Sequence, residues 1–134
     1  MRNLNNQFRL TYSFSTTQLK WRRVTISQGT APLRKRLMGA VTDNNDKIYI
    51  FGGGFVEVNF PEKYYSNGMD IFDTINLSWK AGSLTGAPRT GHGHTATLVG
   101  EIIYYIGGLQ LDAAGQVFDP LSNVCIKLII NFKN

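Results

Sequence analysis

Apolar and polar residues alternate at the start of the chain. Apolar side chains occupy every second position from Phe8 to Phe14, a period of two that is typical of a strand with one buried face. A polar, turn-like stretch covers 15–18, and strand-forming residues return from Leu19 to Ile26. The pattern therefore predicts a β-hairpin over 8–26.

Two later stretches are apolar at every position, Ile48 to Phe51 and Ile102 to Ile106. A strand without polar alternation is typically buried on both faces. Each stretch follows a polar turn and stops at a glycine pair, Gly52-Gly53 in the first case and Gly107-Gly108 in the second. Glycine pairs in these places indicate a sharp turn or a close backbone approach.

The two stretches belong to an internal repeat. A distance of 55 positions separates Ile48 from Ile103 and Gly52 from Gly107, and 58 positions separate Trp21 from Trp79. A repeat of this length indicates stacked supersecondary units that cannot bury their apolar faces alone. Downstream of the glycine pairs, the Asp-Ile-Phe-Asp sequence at 70–73 matches Gln-Val-Phe-Asp at 116–119. Each unit thus contains about four short strands without helices, the composition of one antiparallel propeller blade.

The repeated residues resemble the kelch motif. That motif places an Arg and a Gly-His before the first strand, a Gly-Gly after a hydrophobic second strand, an aromatic-Asp pair on the third, and a Trp near the fourth. The second unit carries Arg89, Gly91, His92, Gly107, Gly108, Phe118 and Asp119, and the first carries Arg36, Gly52, Gly53, Phe72, Asp73 and Trp79.

The resemblance implies an all-β fold, a partial kelch-type β-propeller, in which the motif residues have structural roles. We expect a single domain over 1–134, made of half a blade at 8–26, one four-stranded blade at 27–80 and a second at 81–130. The second unit lacks the Trp of the first. The apolar run 124–130 stands in its place and is the candidate for the last, outer strand.

The number of units is small for a propeller, because such rings close with roughly 4 to 8 blades. An open stack would leave apolar blade faces in water, and no polar cap is evident in the sequence. We therefore expect the chain to be a fragment of a longer propeller or a truncated product. The alternative is a subunit that completes a ring by association with other copies.

The net charge of +5 is concentrated in two basic clusters, Arg22-Arg23 and Arg34 to Arg36. Such clusters can attract nucleic acid, but no aromatic residues interleave with them as in a single-strand binding platform. Solvated loops are the simpler interpretation, and no nucleic-acid partner is expected. No apolar run reaches the ~18 residues needed to span a bilayer. The N-terminus has no apolar signal core, which favours a cytoplasmic location.

The residues that could carry chemistry do not form a recognisable site. His92 and His94 are two positions apart, so on a strand they would point to one face, but a zinc site needs further ligands. The 43–46 turn lacks the Gly and Glu of a calcium loop. Cys125, the single cysteine, sits among Val and Ile as a small hydrophobe would. We predict no catalytic residue, no metal site and no cofactor.

The sequence therefore favours a non-catalytic scaffold or protein–protein interaction module. Loops that differ between repeats, 55–68 and 109–115, are the expected contact regions. Tyr64 and Tyr65 are candidate partner contacts because Tyr is favoured at interfaces, although they fit equally well as cover for a blade edge. The kelch resemblance leaves one alternative, a fragment of a galactose-oxidase-like enzyme whose catalytic residues lie in other blades.

Overall fold

The computed structural model describes residues 9–33, 35–56, 63–87, 91–110 and 125–129. These ranges contain thirteen strands and no helix, so no membrane-spanning helix exists among them. Every strand pair within the sheets is antiparallel. The predicted all-β class is therefore confirmed.

The N-terminal hairpin consists of β1 (Tyr12–Ser15) and β2 (Lys20–Arg23). Phe14 pairs with Trp21, and their ring centroids lie 5.1 Å apart. Between the strands, Leu19 has a left-handed backbone with φ of 52°, a conformation that closes the tight turn. The predicted hairpin is confirmed, with strands shorter than the alternation suggests.

The first sheet contains β3 (Gly39–Thr42), β4 (Lys47–Phe51), β7 (Met69–Asp73) and β8 (Ser78–Ala81), in the order β3-β4-β7-β8. This is the four-stranded antiparallel unit that the repeat predicts. Its polar turn is held by the Asp43 carboxylate, which accepts backbone N–H groups at 2.9 Å, as expected of an Asp in a turn.

A further hairpin lies in the chain between β4 and β7, although these two strands pair directly with each other in the first sheet. It pairs β5 (Gly54–Val56) with β6 (Lys63–Tyr65). This region is predicted as one long loop, and the structure differs here. The physical reason is local, because Phe55, Val56, Tyr64 and Tyr65 are aromatic or β-branched residues with strand propensity.

The second sheet contains β10 (Thr95–Val99), β11 (Ile102–Ile106) and β13 (Cys125–Ile129), in the order β10-β11-β13. Beside it, β9 (Gly91–His92) pairs with β12 (Leu109–Gln110). The apolar run near the C-terminus is thus a strand, as expected.

Among the described residues β13 is the outer strand of its sheet, but it occupies the third place rather than the fourth. It pairs directly with β11 over five residues, which is the place that β7 takes beside β4 in the first sheet. The backbone groups along the edge of β11 need hydrogen-bond partners, and β13 supplies a strand of equal length. The stretch 116–119, predicted as the third strand, lies outside the described residues.

The core lies between the two sheets. Tyr49, Phe51 and two further residues of the first sheet, Met69 and Ile71, pack against Ile103 and Tyr105 of the second. The first strands of the two sheets, β3 and β10, also contact each other. The sheets therefore meet face to face, as successive propeller blades do.

The segment that links β2 to the first sheet runs along the outer edge of β8. The Ser27 N–H donates to the Leu77 carbonyl at 2.9 Å, and the Trp79 N–H donates to the Gln28 carbonyl at 3.0 Å. Gln28 thereby forms a parallel bridge with Ser78. The hairpin is tied to the first sheet by backbone hydrogen bonds.

Candidate interaction surface at the glycine-pair end

Both sheets turn at one end through a glycine pair, and we call this end the glycine-pair end. Gly52 and Gly107, the first members of the pairs, have φ of 69° and 75°, values in the left-handed region that favours glycine. After each pair the chain returns to an equivalent partner. Gly54 exchanges two backbone hydrogen bonds with Arg36, at 2.9 and 3.0 Å, and Leu109 pairs with His92.

The two units share this backbone frame, the glycine pair and the pairing that follows it, but they differ in the segments attached to it. The first unit extends into the hairpin β5–β6, in which Tyr64 pairs with Phe55 and Tyr65 with Gly54. In the described part of the second unit, the segment after the glycine pair forms β12, which pairs with β9 over two residues. Segments that differ on a common rigid frame are the usual places for binding specificity.

Backbone hydrogen bonds join the two units at the glycine-pair end. The Gly53 N–H donates to the Gly91 carbonyl at 3.0 Å, and the Gly93 N–H donates to the Leu37 carbonyl at 2.7 Å. Within the first unit, the Ser66 N–H donates to the Gly53 carbonyl at 2.8 Å. The segment that follows β6 is therefore anchored to the same frame.

His94 lies beneath this frame, between the sheets. Its Nε2 is 3.2 Å from the Gly39 nitrogen and 3.1 Å from the Phe51 oxygen. The protonated Nε2 donates to the Phe51 carbonyl, whereas the bare nitrogen accepts from the Gly39 N–H, so the tautomer decides which contact forms. The ring also packs edge-on against Tyr105, with centroids 5.2 Å apart.

The kelch resemblance assigns a structural role to His92, whereas it does not predict the contacts of His94 with Gly39 and Phe51. The sequence repeat relates these two residues, Gly39 and His94, because Gly39 precedes His94 by 55 positions, the same offset as between the two glycine pairs. A Cβ at Gly39 would lie 2.6 Å from the imidazole. The small residue of the first unit thus makes room for the His of the second.

The pKa of His94 is lowered, chiefly because burial penalises the charged imidazolium. The hydrogen bond to Phe51 opposes this effect, and the nearby His92 adds to it. His94 is therefore a neutral interior side chain at neutral pH. In the described part of the chain, no three His, Cys, Asp or Glu side chains cluster as a metal site would require.

The aromatic pair Phe72 and Trp79 lies on the face of the first sheet that is turned toward the N-terminal hairpin. The two rings lie 4.7 Å apart, and the Trp79 Nε1–H donates to the Thr11 hydroxyl at 3.1 Å. Asp73 caps the turn after β7 by accepting the N–H groups of Ile75 and Asn76. Its pKa is lowered, above all by the hydrogen bond from the Asn76 backbone.

The remaining predicted motif residues are distributed as follows. Arg36 contributes its backbone to the bridge with Gly54, and His92 lies in β9. Three of the predicted residues lie outside the described residues, namely Arg89, Phe118 and Asp119.

One residue of the basic clusters is held in place. Lys35 forms an ion pair with Asp70 on β7, with a Nζ–Oδ2 distance of 2.6 Å, and its side chain is only 9% exposed. This position differs from the expected solvated loop, because the carboxylate on the neighbouring strand attracts the ammonium group. The contact fixes the segment between the hairpin and β3 against the first sheet.

Comparison with known proteins agrees with this architecture. The family model of the KLHDC2/KLHL20/DRC7 Kelch-repeats domain matches residues 2–126. The Rab9 effector protein with kelch motifs of Gallus gallus is 31% identical over 91 residues, which are 67% of this chain and 23% of the relative. The protein of the same name from Xenopus laevis is 29% identical over 91 residues, with the same coverage.

The chain thus spans about a quarter of the length of these relatives. The family match extends across both repeated units, including the glycine pairs that end β4 and β11. With the repeated antiparallel sheets, it shows that this chain belongs to the kelch-repeat family.

Proposed function

We propose that this chain is a non-catalytic protein-interaction module whose partner binds the glycine-pair end. The observation that carries the proposal is that the two units share one backbone frame but carry different segments after their glycine pairs. Among the described residues, a hairpin such as β5–β6 follows the glycine pair of the first unit only, and backbone hydrogen bonds join the two units at this frame. A rigid frame lowers the entropic cost of presenting a binding segment.

We also propose that the chain corresponds to part of a longer propeller, divided into half a blade at 8–26 and blades at 27–80 and 81–130. The short coverage of the relatives supports this proposal. Where other blades are absent, copies of the chain associate to complete a ring. No observation on the described residues favours the enzyme alternative.

A member of the Rab9 protein class is the partner that the relatives suggest, because their name describes them as Rab9 effectors. We propose that this chain binds Rab9 through β5–β6 and the neighbouring loops. Tyr64 and Tyr65 in β6 are the candidate contacts, since Tyr supplies large contact area at low entropic cost.

The test is a titration of immobilised Rab9, in each nucleotide state, with the wild-type chain and a double variant. Tyr64→Ser with Tyr65→Ser should weaken binding about tenfold, the equivalent of about 1.4 kcal/mol. Tyr12→Ser is the matched control, because it removes an exposed Tyr from the N-terminal hairpin and should leave the affinity unchanged. Equal affinity of all three proteins would refute this contact surface.

A further inference from the structure

We propose that the hairpin β1–β2 is the outer half of a composite blade, and that the free edge of β1 pairs with β11 of a second copy of this chain. This inference rests on the proposed self-association and names the strands that carry it. In the composite blade, β1 takes the place that β13 holds in the single chain.

The hairpin β1–β2 reproduces the outer half of the first sheet. Shifted by 58 positions, β1 falls on residues 70–73 of β7 and β2 falls on all of β8. The pairing Phe14↔Trp21 then coincides with Phe72↔Trp79. Leu19 and its counterpart Leu77 both have φ of 52°, so the two hairpins share their turn as well.

The other edge of each hairpin differs in its pairing. In the first sheet, β4 pairs with β7 over five residues. Among the described residues, no strand pairs with the corresponding edge of β1. An edge of unpaired N–H and C=O groups is a template for another strand.

The aromatic face of the hairpin is exposed. Trp21 is 71% exposed and Phe14 43% exposed, whereas Phe72 in the equivalent position is only 7% exposed. Trp79 is partly buried and has Thr11 as its hydrogen-bond partner. The hairpin thus exposes a face that the first sheet covers, and large exposed apolar faces mark interaction sites.

The repeat identifies β11 as the strand that pairs with the free edge of β1, because β11 is the counterpart of β4 at an offset of 55 positions. Transfer of the β4–β7 register places Ile103 opposite Phe14 and Tyr105 opposite Tyr12. These apolar pairs share one face, as favourable cross-strand pairs do. On the other face, Tyr104 lies opposite Ser13.

The strand β13 competes for the same edge. In the single chain it pairs with β11, with Lys127 opposite Tyr104, and the described residues show no fourth strand beside it. The hairpin brings two paired strands where β13 brings one. Replacement of β13 by β1 of another copy is the addition of a strand to a sheet edge between chains, and it is favoured by rising concentration.

The composite blade also defines the size of the assembly. Each copy contributes one complete blade, the first sheet, and one composite blade shared with a neighbour. Because propellers contain roughly 4 to 8 blades, a closed ring needs about two to four copies. The interface is head-to-tail, which closes a ring rather than a symmetric pair of identical patches.

The decisive experiment is cross-linking between two single-cysteine proteins. In a Cys125→Ser background, Ser13→Cys protein is mixed with Tyr104→Cys protein and oxidised, and disulfide-linked dimers are quantified by mass spectrometry. Directly opposite residues of antiparallel strands have Cα atoms about 4.5–5.5 Å apart, within the range of about 4.4–6.8 Å that disulfides span. We expect this pair to link about tenfold faster than the control pair described next.

The control pairs Ser13→Cys with Thr97→Cys. Thr97 lies opposite Tyr104 on β10, so it shares a face with Tyr104 but is one strand farther from the proposed site. It is also exposed, which makes it at least as reactive in random collisions. Equal rates for the two pairs, or no disulfide with Tyr104→Cys, would overturn the composite blade.

The wild-type chain provides a second measurement that does not depend on any variant. Light scattering over a concentration series should show monomers converting to a discrete species of two to four copies. A monomer at every concentration would overturn the proposal. Rab9 binding is measured at dilutions where the chain is monomeric, so loss of the composite blade and loss of the proposed function are separate results.

Discussion

Phe51 and Ile106 occupy the same place in the two repeated units, and their surroundings differ. Each ends the second strand of its sheet just before a glycine pair, at an offset of 55 positions. Phe51 is 2% exposed, whereas Ile106 is 49% exposed. Phe51 is covered by Tyr105, with ring centroids 4.9 Å apart, and by His94. The comparison teaches that the next unit determines burial, as expected for a repeat in which each unit contacts its neighbours.

The largest effect should come from truncating the two residues compared. Phe51→Ala should lower the free energy of unfolding by about 3–5 kcal/mol, because it removes a buried aromatic ring and leaves a cavity. Ile106→Ala should cost less than about 1 kcal/mol, since half of that side chain is already in water. Urea unfolding followed by circular dichroism measures both, and equal losses would contradict the comparison.

The glycine pairs offer a second contrast between the units. Gly107→Ala should cost about 1–2 kcal/mol, because a Cβ is disfavoured at φ of 75°, and no described atom lies within 4 Å of that Cβ. Gly52→Ala should cost about 3 kcal/mol, since its Cβ would also lie 2.7 Å from His94 and 2.8 Å from the Gly91 oxygen. The same unfolding curves rank the two variants. The reverse order would show that His94 and Gly91 relax without cost.

The smallest expected effect is a change in the free energy of unfolding with pH. It arises from His94, which the first unit accommodates with Gly39 at the equivalent position. Burial lowers the pKa of His94 in the folded chain, so the unfolded chain binds more protons below its ordinary pKa of 6.5. As far as His94 is concerned, the free energy of unfolding is therefore highest above pH 6.5 and falls as the pH drops toward the lowered pKa. The slope is at most about 1.4 kcal/mol per pH unit.

The control for this pH dependence is His94→Gln, which cannot titrate. Its free energy of unfolding should vary less with pH between 6.5 and 5 than that of the wild type, even if the variant is less stable overall. An unchanged pH dependence would assign the effect to other groups, such as His92.

The features predicted correctly depend on local chemistry. The N-terminal hairpin follows from alternation around Phe14, and the turn at 43–46 follows from the ability of Asp43 to bond its own backbone. The repeat can be recognised in the sequence because positions 52 and 107 both have a backbone conformation that glycine adopts and few other residues do. Each of these signals lies within a few residues of the structure that it specifies.

The features that were missed depend on distant partners. The pattern identifies β13 as a strand but not its neighbour, because the neighbour is the free edge of β11. The role of His94 depends on the space that Gly39 leaves in another unit. The candidate contacts Tyr64 and Tyr65 stay predictions, since interface chemistry is defined by a second molecule.

The hydrogen bonds that run in both directions between the units affect how the chain opens. The Gly53 amide is bonded to the second unit and the Gly93 amide to the first. Neither unit can therefore unfold without stripping a backbone partner from the other, which couples the two into one cooperative unit. Hydrogen exchange at these two amides therefore reports the opening of either unit, because each bond has its donor in one unit and its acceptor in the other.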